Sequence, residues 1–254
     1  MKKFLPGAVA LIAVSLAAAS ALAADLPARA YSKAPAVFAP IYDWGGFYIG
    51  VDGGGGWSHK CWSSQSVGGV PNVPAIPEGC HNASGAVAGG QIGYRWLSGP
   101  VVFGLEAQGD WANLRGSNVS QALPPTVNRS TIDAIGLFTG QVGYSWNSVL
   151  WYLKGGGALT NDKYEGLQAG AVTDKATETR FGGTVGTGVE FGFAPNWSAG
   201  VEYNHLFMGS RNLNLTSVTP PVGVVTRNDS VRQDVDLVTA RINYRWGGPV
   251  VAKY

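Results

Sequence analysis

The stretch Gly188-Val189-Glu190-Phe191-Gly192-Phe193-Ala194-Pro195-Asn196-Trp197-Ser198-Ala199-Gly200-Val201-Glu202-Tyr203-Asn204 decides the fold class. Val189, Phe191 and Phe193 alternate with Glu190. After the turn residues Ala194-Pro195-Asn196, Trp197, Ala199, Val201 and Tyr203 alternate with Ser198, Glu202 and Asn204. Period two on both sides of a tight turn is the mark of a β-hairpin. On each arm the acid sits opposite the aromatic and branched residues, so one face meets an apolar medium and the other holds charge.

The same pattern recurs in both directions along the chain. Strand one, near 46–57, sets Phe47, Ile49 and Val51 against Tyr48 and Asp52. Strand two, near 84–97, sets Ile92, Tyr94 and Trp96 against Gln91 and Arg95. Strand three, near 101–111, sets Val101, Phe103, Leu105 and Trp111 against Glu106, Gln108 and Asp110. Strand four, near 131–146, sets Ile132, Ala134, Phe138, Val142, Tyr144 and Trp146 against Asp133, Thr139 and Gln141. Strand five, near 149–160, sets Trp151, Leu153 and Leu159 against Tyr152 and Lys154. Strand six, near 178–193, and strand seven, near 197–207, are the hairpin quoted above. Strand eight, near 235–246, sets Val238, Ile242, Tyr244 and Trp246 against Arg241 and Arg245.

Three connections are tight: Ser98-Gly99-Pro100, Asn147-Ser148 and Ala194-Pro195-Asn196. They alternate with longer ones at 58–83, 112–130, 161–177 and 208–234, which read as external loops. Short turns at one end and long loops at the other, with apolar residues out and polar ones in, are the rule for an antiparallel up-and-down transmembrane β-barrel. A soluble sandwich would place its apolar face inward. Trp96, Trp146, Trp151, Trp197 and Trp246 lie beside the short turns, while Trp57 and Trp111 lie at the opposite rim. Two such girdles suit two membrane interfaces, where an indole keeps its ring in lipid and its N–H in water. Eight strands return both chain ends to the same side and leave a lumen that side chains can nearly fill.

The chain ends agree with export. Lys2 and Lys3 precede an apolar run from Phe4 to Leu22 that ends in Ala21-Leu22-Ala23, a signal peptide cleaved after residue 23. Residues 24–43 read as a periplasmic linker broken by Pro27, Pro35 and Pro40. The barrel domain takes 44–254, with a short tail after Trp246. Only 13% of the chain is charged, about half the share of an ordinary globular domain. The formal charge of +2 falls to zero once the two signal lysines leave, so nothing points to nucleic acid.

The order of several phrases resembles the major surface-antigen, opacity-porin-like outer-membrane family of alphaproteobacteria. They are Ala24-Asp25-Leu26-Pro27 after the signal, Trp44-Gly45-Gly46-Phe47-Tyr48-Ile49-Gly50 in strand one, and Gln91-Ile92-Gly93-Tyr94. Gly200-Val201-Glu202-Tyr203 and Ala240-Arg241-Ile242-Asn243-Tyr244-Arg245-Trp246 match in style. The resemblance covers the mature chain and implies an integral outer-membrane barrel with structural and surface roles and no known chemistry.

Candidate chemistry is sparse. The histidines are His59, His81 and His205. An outward His205 with Ser210 would need an acid, and Glu202 points inward, so the mutual geometry of a catalytic set is lacking. His59, Cys61, Cys80 and His81 could be read as a zinc set. In an oxidising compartment a Cys61–Cys80 disulfide is expected instead, worth ~3 kcal/mol in the chain-entropy account. Gly53-Gly54-Gly55-Gly56 lacks the Lys-Ser/Thr of a phosphate loop and reads as relief of strand packing.

No cofactor is expected. The expected partners are outer-membrane lipids, lipopolysaccharide and the barrel-assembly machinery. Counted from the short-turn rim, Asp52, Glu106, Lys154, Glu202 and Arg241 fall at one depth, with Gln91 and Gln141 beside them. At ~3.3 Å per residue and a tilt near ~40° that is roughly 12 Å up, near mid-membrane. The expectation is a mid-barrel charge layer in which Glu202 pairs with Arg241 and Asp52 shares the same guanidinium. The function expected is an envelope-stabilising barrel presenting surface loops, with a narrow pore as companion reading. A surface-adhesion module acting through loops one and four is the alternative, and a lipid-modifying enzyme a distant third.

Overall fold

The computed structural model describes residues 42–246. The expected signal peptide, most of the expected linker and the tail after Trp246 lie outside the described residues. Eight strands close into one antiparallel barrel: β1 Gly46–Val67, β2 Val70–Ser98, β3 Val101–Val119, β4 Val127–Trp146, β5 Val149–Gln168, β6 Ala171–Ala194, β7 Trp197–Ser217 and β8 Val225–Trp246. Each strand pairs with its sequence neighbours, and β1 closes against β8 from Phe47↔Trp246 to Val67↔Arg227. The tight turns fall where the sequence places them, Asn147 taking a left-handed φ of 52°.

The four long connections are not loops for most of their length. The strands run on through them as hairpins. β1 and β2 stay paired until Val67↔Val70, and β5 and β6 until Gln168↔Ala171. The β1–β2 turn is Gly68-Gly69, with φ of 58° and 81°. Positive φ at both central residues is the hairpin turn whose twist matches its strands, and glycine adopts it without steric cost. β1 adds ten residues beyond Trp57, so its extension rises roughly 25 Å at the same tilt.

Side-chain direction follows the alternation, with one exception. Ile132 is fully buried inside and Asp133 points outward, the reverse of the expected faces for this pair. A register shift between Ile132 and Ala134 inserts one extra residue on β4, which flips the parity above it. The boundary between linker and barrel also moves. Tyr42, placed in the linker by composition, packs with Trp44, Val102, Leu150 and Tyr152 inside the short-turn end of the barrel.

The glycine run in β1 is a packing device. A Cβ on Gly54 would lie 2.0 Å from the Val238 carbonyl oxygen of β8, so only glycine lets the two strands approach there.

Candidate functional site

A barrel acts through its lumen, its outer face or its exposed rim. The lumen is filled by layers of side chains that reach from wall to wall. Just above the Tyr42–Trp44 cluster, Arg95 of β2 forks onto Glu190 of β6 at 2.6 and 3.0 Å, and Ser198 donates to the same carboxylate at 3.0 Å. The guanidinium also lies 4.5 Å from the Tyr48 ring centre and 5.5 Å from that of Tyr152. β2 and β6 stand on opposite sides of the ring, so one side chain spans the bore.

The next layer contains most of the charges expected at mid-depth. Lys154 donates to Glu106 at 2.9 Å and to Glu202 at 2.6 Å. Arg241 reaches Glu106 at 3.0 Å and Glu202 at 2.8 Å. Two acids and two bases therefore form a closed ring contributed by β3, β5, β7 and β8. Tyr48 donates to Glu106 and Tyr152 to Glu202, each at 2.6 Å. Gln91 donates to Asn243 at 2.7 Å and Gln141 to Tyr48 at 3.0 Å. Asp52 does not join this ring. Its carboxyl meets Asp110 of β3, side chain to side chain, because Glu106 and Glu202 already occupy the Arg241 guanidinium.

Higher up the filling becomes apolar. Leu114, Ile132, Leu137, Leu206, Val235 and Leu237 are fully buried, with Met208 and Val87 beside them. Above them Lys60 of β1 reaches Asp162 of β5 at 2.8 Å, again across the bore. A second apolar layer follows, made of Trp62, Tyr164, Leu213, Leu215 and Val231. Near the tip, Arg227 binds Glu78, Asp174 and Asp229, each at 3.1 Å. Burial pushes the Asp229 carboxyl up to about 7, with Arg227 pulling the other way.

All seven expected tryptophans point outward. Trp96 stacks with Tyr94 and Phe103, and Trp246 packs against Phe47 and Tyr244. The short-turn girdle is therefore wider than its tryptophans alone. Trp111 is the most exposed large aromatic of the described residues, at 79%.

Cys61 and Cys80 are register partners on β1 and β2 and form a disulfide. The alternative zinc set divides between two faces of the sheet. His59 points outward beside Asn82 and Cys61. His81 points inward, bonded to Asn118 at 2.8 Å and Ser130 at 2.6 Å, and burial lowers its pKa. The acid beside His205 is Asp236 of β8, at 2.7 Å, with Tyr203 donating to the same oxygen at 2.6 Å. Glu202, nearer in sequence, faces the lumen, and the β7–β8 register is what sets Asp236 beside His205.

An outward apolar belt bounded by aromatic girdles, on a closed ring of strands, is the build of a membrane-spanning barrel. Comparison with known proteins agrees. The family profile described as "Outer membrane protein beta-barrel domain" matches residues 9–231. The chain is 29% identical over 211 residues to the 31 kDa outer-membrane immunogenic protein of Brucella melitensis biotype 1, covering 77% of this chain and 84% of that one. It is 28% identical over 222 residues to the 25 kDa outer-membrane immunogenic protein of Brucella abortus biovar 1, covering 85% and 88%. The crystal structure of OprG from Pseudomonas aeruginosa overlays with a TM-score of 0.52 at 9% identity, covering 80% of this chain and 98% of that one. A likeness so remote speaks to the fold alone. On the profile match and these relatives, the chain belongs to the outer membrane protein β-barrel domain family and is an integral protein of the outer membrane.

Proposed function

We propose that this protein is a sealed, non-conducting barrel that anchors a rigid extracellular sheet in the envelope. One observation carries the reading: ion pairs and apolar clusters cross the bore at successive heights, from Arg95–Glu190 to Arg227–Glu78. A hydrated ion would have to break these pairs, each desolvated and held by further hydrogen bonds. The test is single-channel conductance of refolded protein in a planar bilayer. Silence is expected, and steady unit openings at neutral pH would favour the narrow pore. Catalysis is not part of the reading. His205 and Asp236 are paired, but the nucleophile that a hydrolytic set requires has no side chain bonded to that imidazole among the described residues.

Surface adhesion is the second reading, and one feature favours it. Two hairpin tips expose apolar residues to water: Val70, Val73 and Ile76 at β1–β2, and Val222, Val224 and Val225 at β7–β8. Exposed apolar clusters on an otherwise polar surface mark contact sites. Replacing Val73 and Val222 by Asn would abolish cell or matrix attachment if these tips bind, and leave it unchanged if the sheet is only a shield.

A further inference from the structure

The outward face just above the membrane is electrically lopsided. On β3 to β6 it carries Arg115, Arg129, Lys163 and Lys175 against two acids, Asp133 and Glu165. On β7 and β8 it carries Asp234 and Asp236 against Arg211 and Arg232, an even balance. The basic side is also ordered. Arg115, Thr131 and Lys163 form one register row across β3, β4 and β5, and Ser117, Arg129 and Glu165 form the next. With strands ~4.8 Å apart, Arg115 and Lys163 stand about 10 Å from one another. Together with Arg129 they line a recess of about 880 Å³.

The cations of this recess are loosely held. Lys163 meets Asp133 at 2.6 Å and Arg129 meets Glu165 at 3.6 Å, both pairs on the surface. Such pairs are worth little and are readily exchanged. Arg115 is exposed and has no acidic partner among the described residues. Directly below lies an apolar stretch of the outer face, with Trp111, Phe138 and Phe181 all well exposed. Arg115 is four residues above Trp111, roughly 10 Å along the membrane normal. That is head-group height for a lipid whose chains lie on Trp111 and Phe138.

We infer that this recess binds the phosphorylated head group of an outer-leaflet glycolipid, with Arg115, Arg129 and Lys163 as its phosphate ligands. Guanidinium forks match phosphate oxygens bidentately, and a phosphate displaces the weak carboxylate pairs rather than desolvating a bare cation. Thr131 and Ser117, in the same rows, offer hydroxyls to the sugar. The aromatic shelf below receives acyl chains, so a soluble phosphate alone gains only part of the site. The inference goes beyond the sealed-barrel reading and is independent of it.

The experiment uses the full mature chain, refolded in zwitterionic detergent. It is mixed with bisphosphorylated lipid A, dephosphorylated lipid A, or inorganic pyrophosphate, and bound species are counted by native mass spectrometry. Wild type should retain bisphosphorylated lipid A at least about ten-fold better than the dephosphorylated form. The triple variant Arg115→Ala, Arg129→Ala, Lys163→Ala should lose that preference while keeping its heat-dependent gel shift. Should the triple variant fail to fold, Arg115→Gln alone, which removes no ion pair or side-chain hydrogen bond found among the described residues, should still weaken retention several-fold. Equal retention by wild type and variant, equal retention of phosphorylated and dephosphorylated lipid, or pyrophosphate binding as well as lipid A would each overturn the inference.

Discussion

The lower and upper halves of the barrel use the same strands with opposite polarity. On β7, Val201, Tyr203 and Phe207 face out and Glu202 faces in; ten residues on, Leu213 and Leu215 face in while Asn212 and Asn214 face out. β5 does the same: Trp151 and Leu153 are outside and Lys154 inside, then Lys163 and Glu165 are outside and Tyr164 inside. β7 turns its faces over at a register shift beside Gly209, whose φ is 66°, whereas β5 keeps one parity and changes only its residues. What changes for both is the surrounding medium. Where lipid surrounds the barrel, apolar side chains belong outside, and the interior takes the charges in pairs. Where water surrounds it, the outer face turns polar, and the interior sets an apolar layer of Trp62, Tyr164, Leu213, Leu215 and Val231 between the Lys60–Asp162 pair and the Arg227 cluster. The upper half is a small soluble-type barrel built on a membrane one.

If the halves rest on different forces, they should fail separately. Glu106 accepts from Lys154, Arg241 and Tyr48. Glu106→Ala leaves those groups short of a partner and should cost about 3–5 kcal/mol. It should lower the temperature at which the folded gel band converts to the unfolded one. Trp62→Ala, in the upper interior, should cost a similar about 3–5 kcal/mol. Its effect should appear instead as protease cleavage of the extension, with the heat shift preserved. Both variants altering the same readout equally would break the division.

A charge placed outward should distinguish the two surroundings more sharply. Val201→Arg faces lipid and should lose about 2–4 kcal/mol in urea unfolding from lipid vesicles. Asn212→Arg, outward on the same strand but above the belt, should stay within about 0.5 kcal/mol of wild type. Equal losses at both positions would mean that the apolar belt extends higher than Trp57.

The smallest expected effect is a pH dependence confined to the upper half. The Asp229 carboxyl has a folded pKa of about 7 against an ordinary value of 3.8. Between those values the folded extension keeps a proton that the unfolded chain has released. Stability of the extension from this group is therefore highest at the acid end, falls as pH rises towards about 7, and is level above it. Asp229→Asn should remove that slope and slow proteolysis of the extension at pH 8, leaving the heat shift untouched.

The lower half was largely legible in the sequence because its alternation follows one rule: apolar out, charge in. Strand faces, tight turns, girdles and the depth of the charged residues all followed from it. The upper half was misread as loops for the same reason. Asn212-Leu213-Asn214-Leu215 keeps the odd apolar parity of Val201, Tyr203 and Phe207, and nothing in the residues shows that the register shift beside Gly209 turns that face inward. The bulge at Asp133 was hidden because a parity flip is invisible until the neighbouring strand is aligned. The lumen shows a third kind of gap. Sequence depth placed Glu202 and Arg241 at one level, but it could not show that Arg95 reaches Glu190 across the bore, or that Asp52 faces Asp110. Those contacts depend on which walls meet, and that follows from the curvature of the closed ring.

Hydroxyl-radical footprinting of unmodified protein in lipid nanodiscs tests the central claim most directly. Radicals formed in water oxidise aromatic and branched side chains that water can reach. A barrel packed inside at both levels predicts slow oxidation of Tyr48 and Tyr152 in the lower interior and of Trp62 and Tyr164 in the upper one. Val73 and Val222, at the hairpin tips, should react fast. Rapid oxidation of Tyr48 and Tyr152 would mean a water-filled lumen. Rapid oxidation of Trp62 and Tyr164 would mean that the upper strands are open loops, and the inversion of polarity between the two halves would not stand.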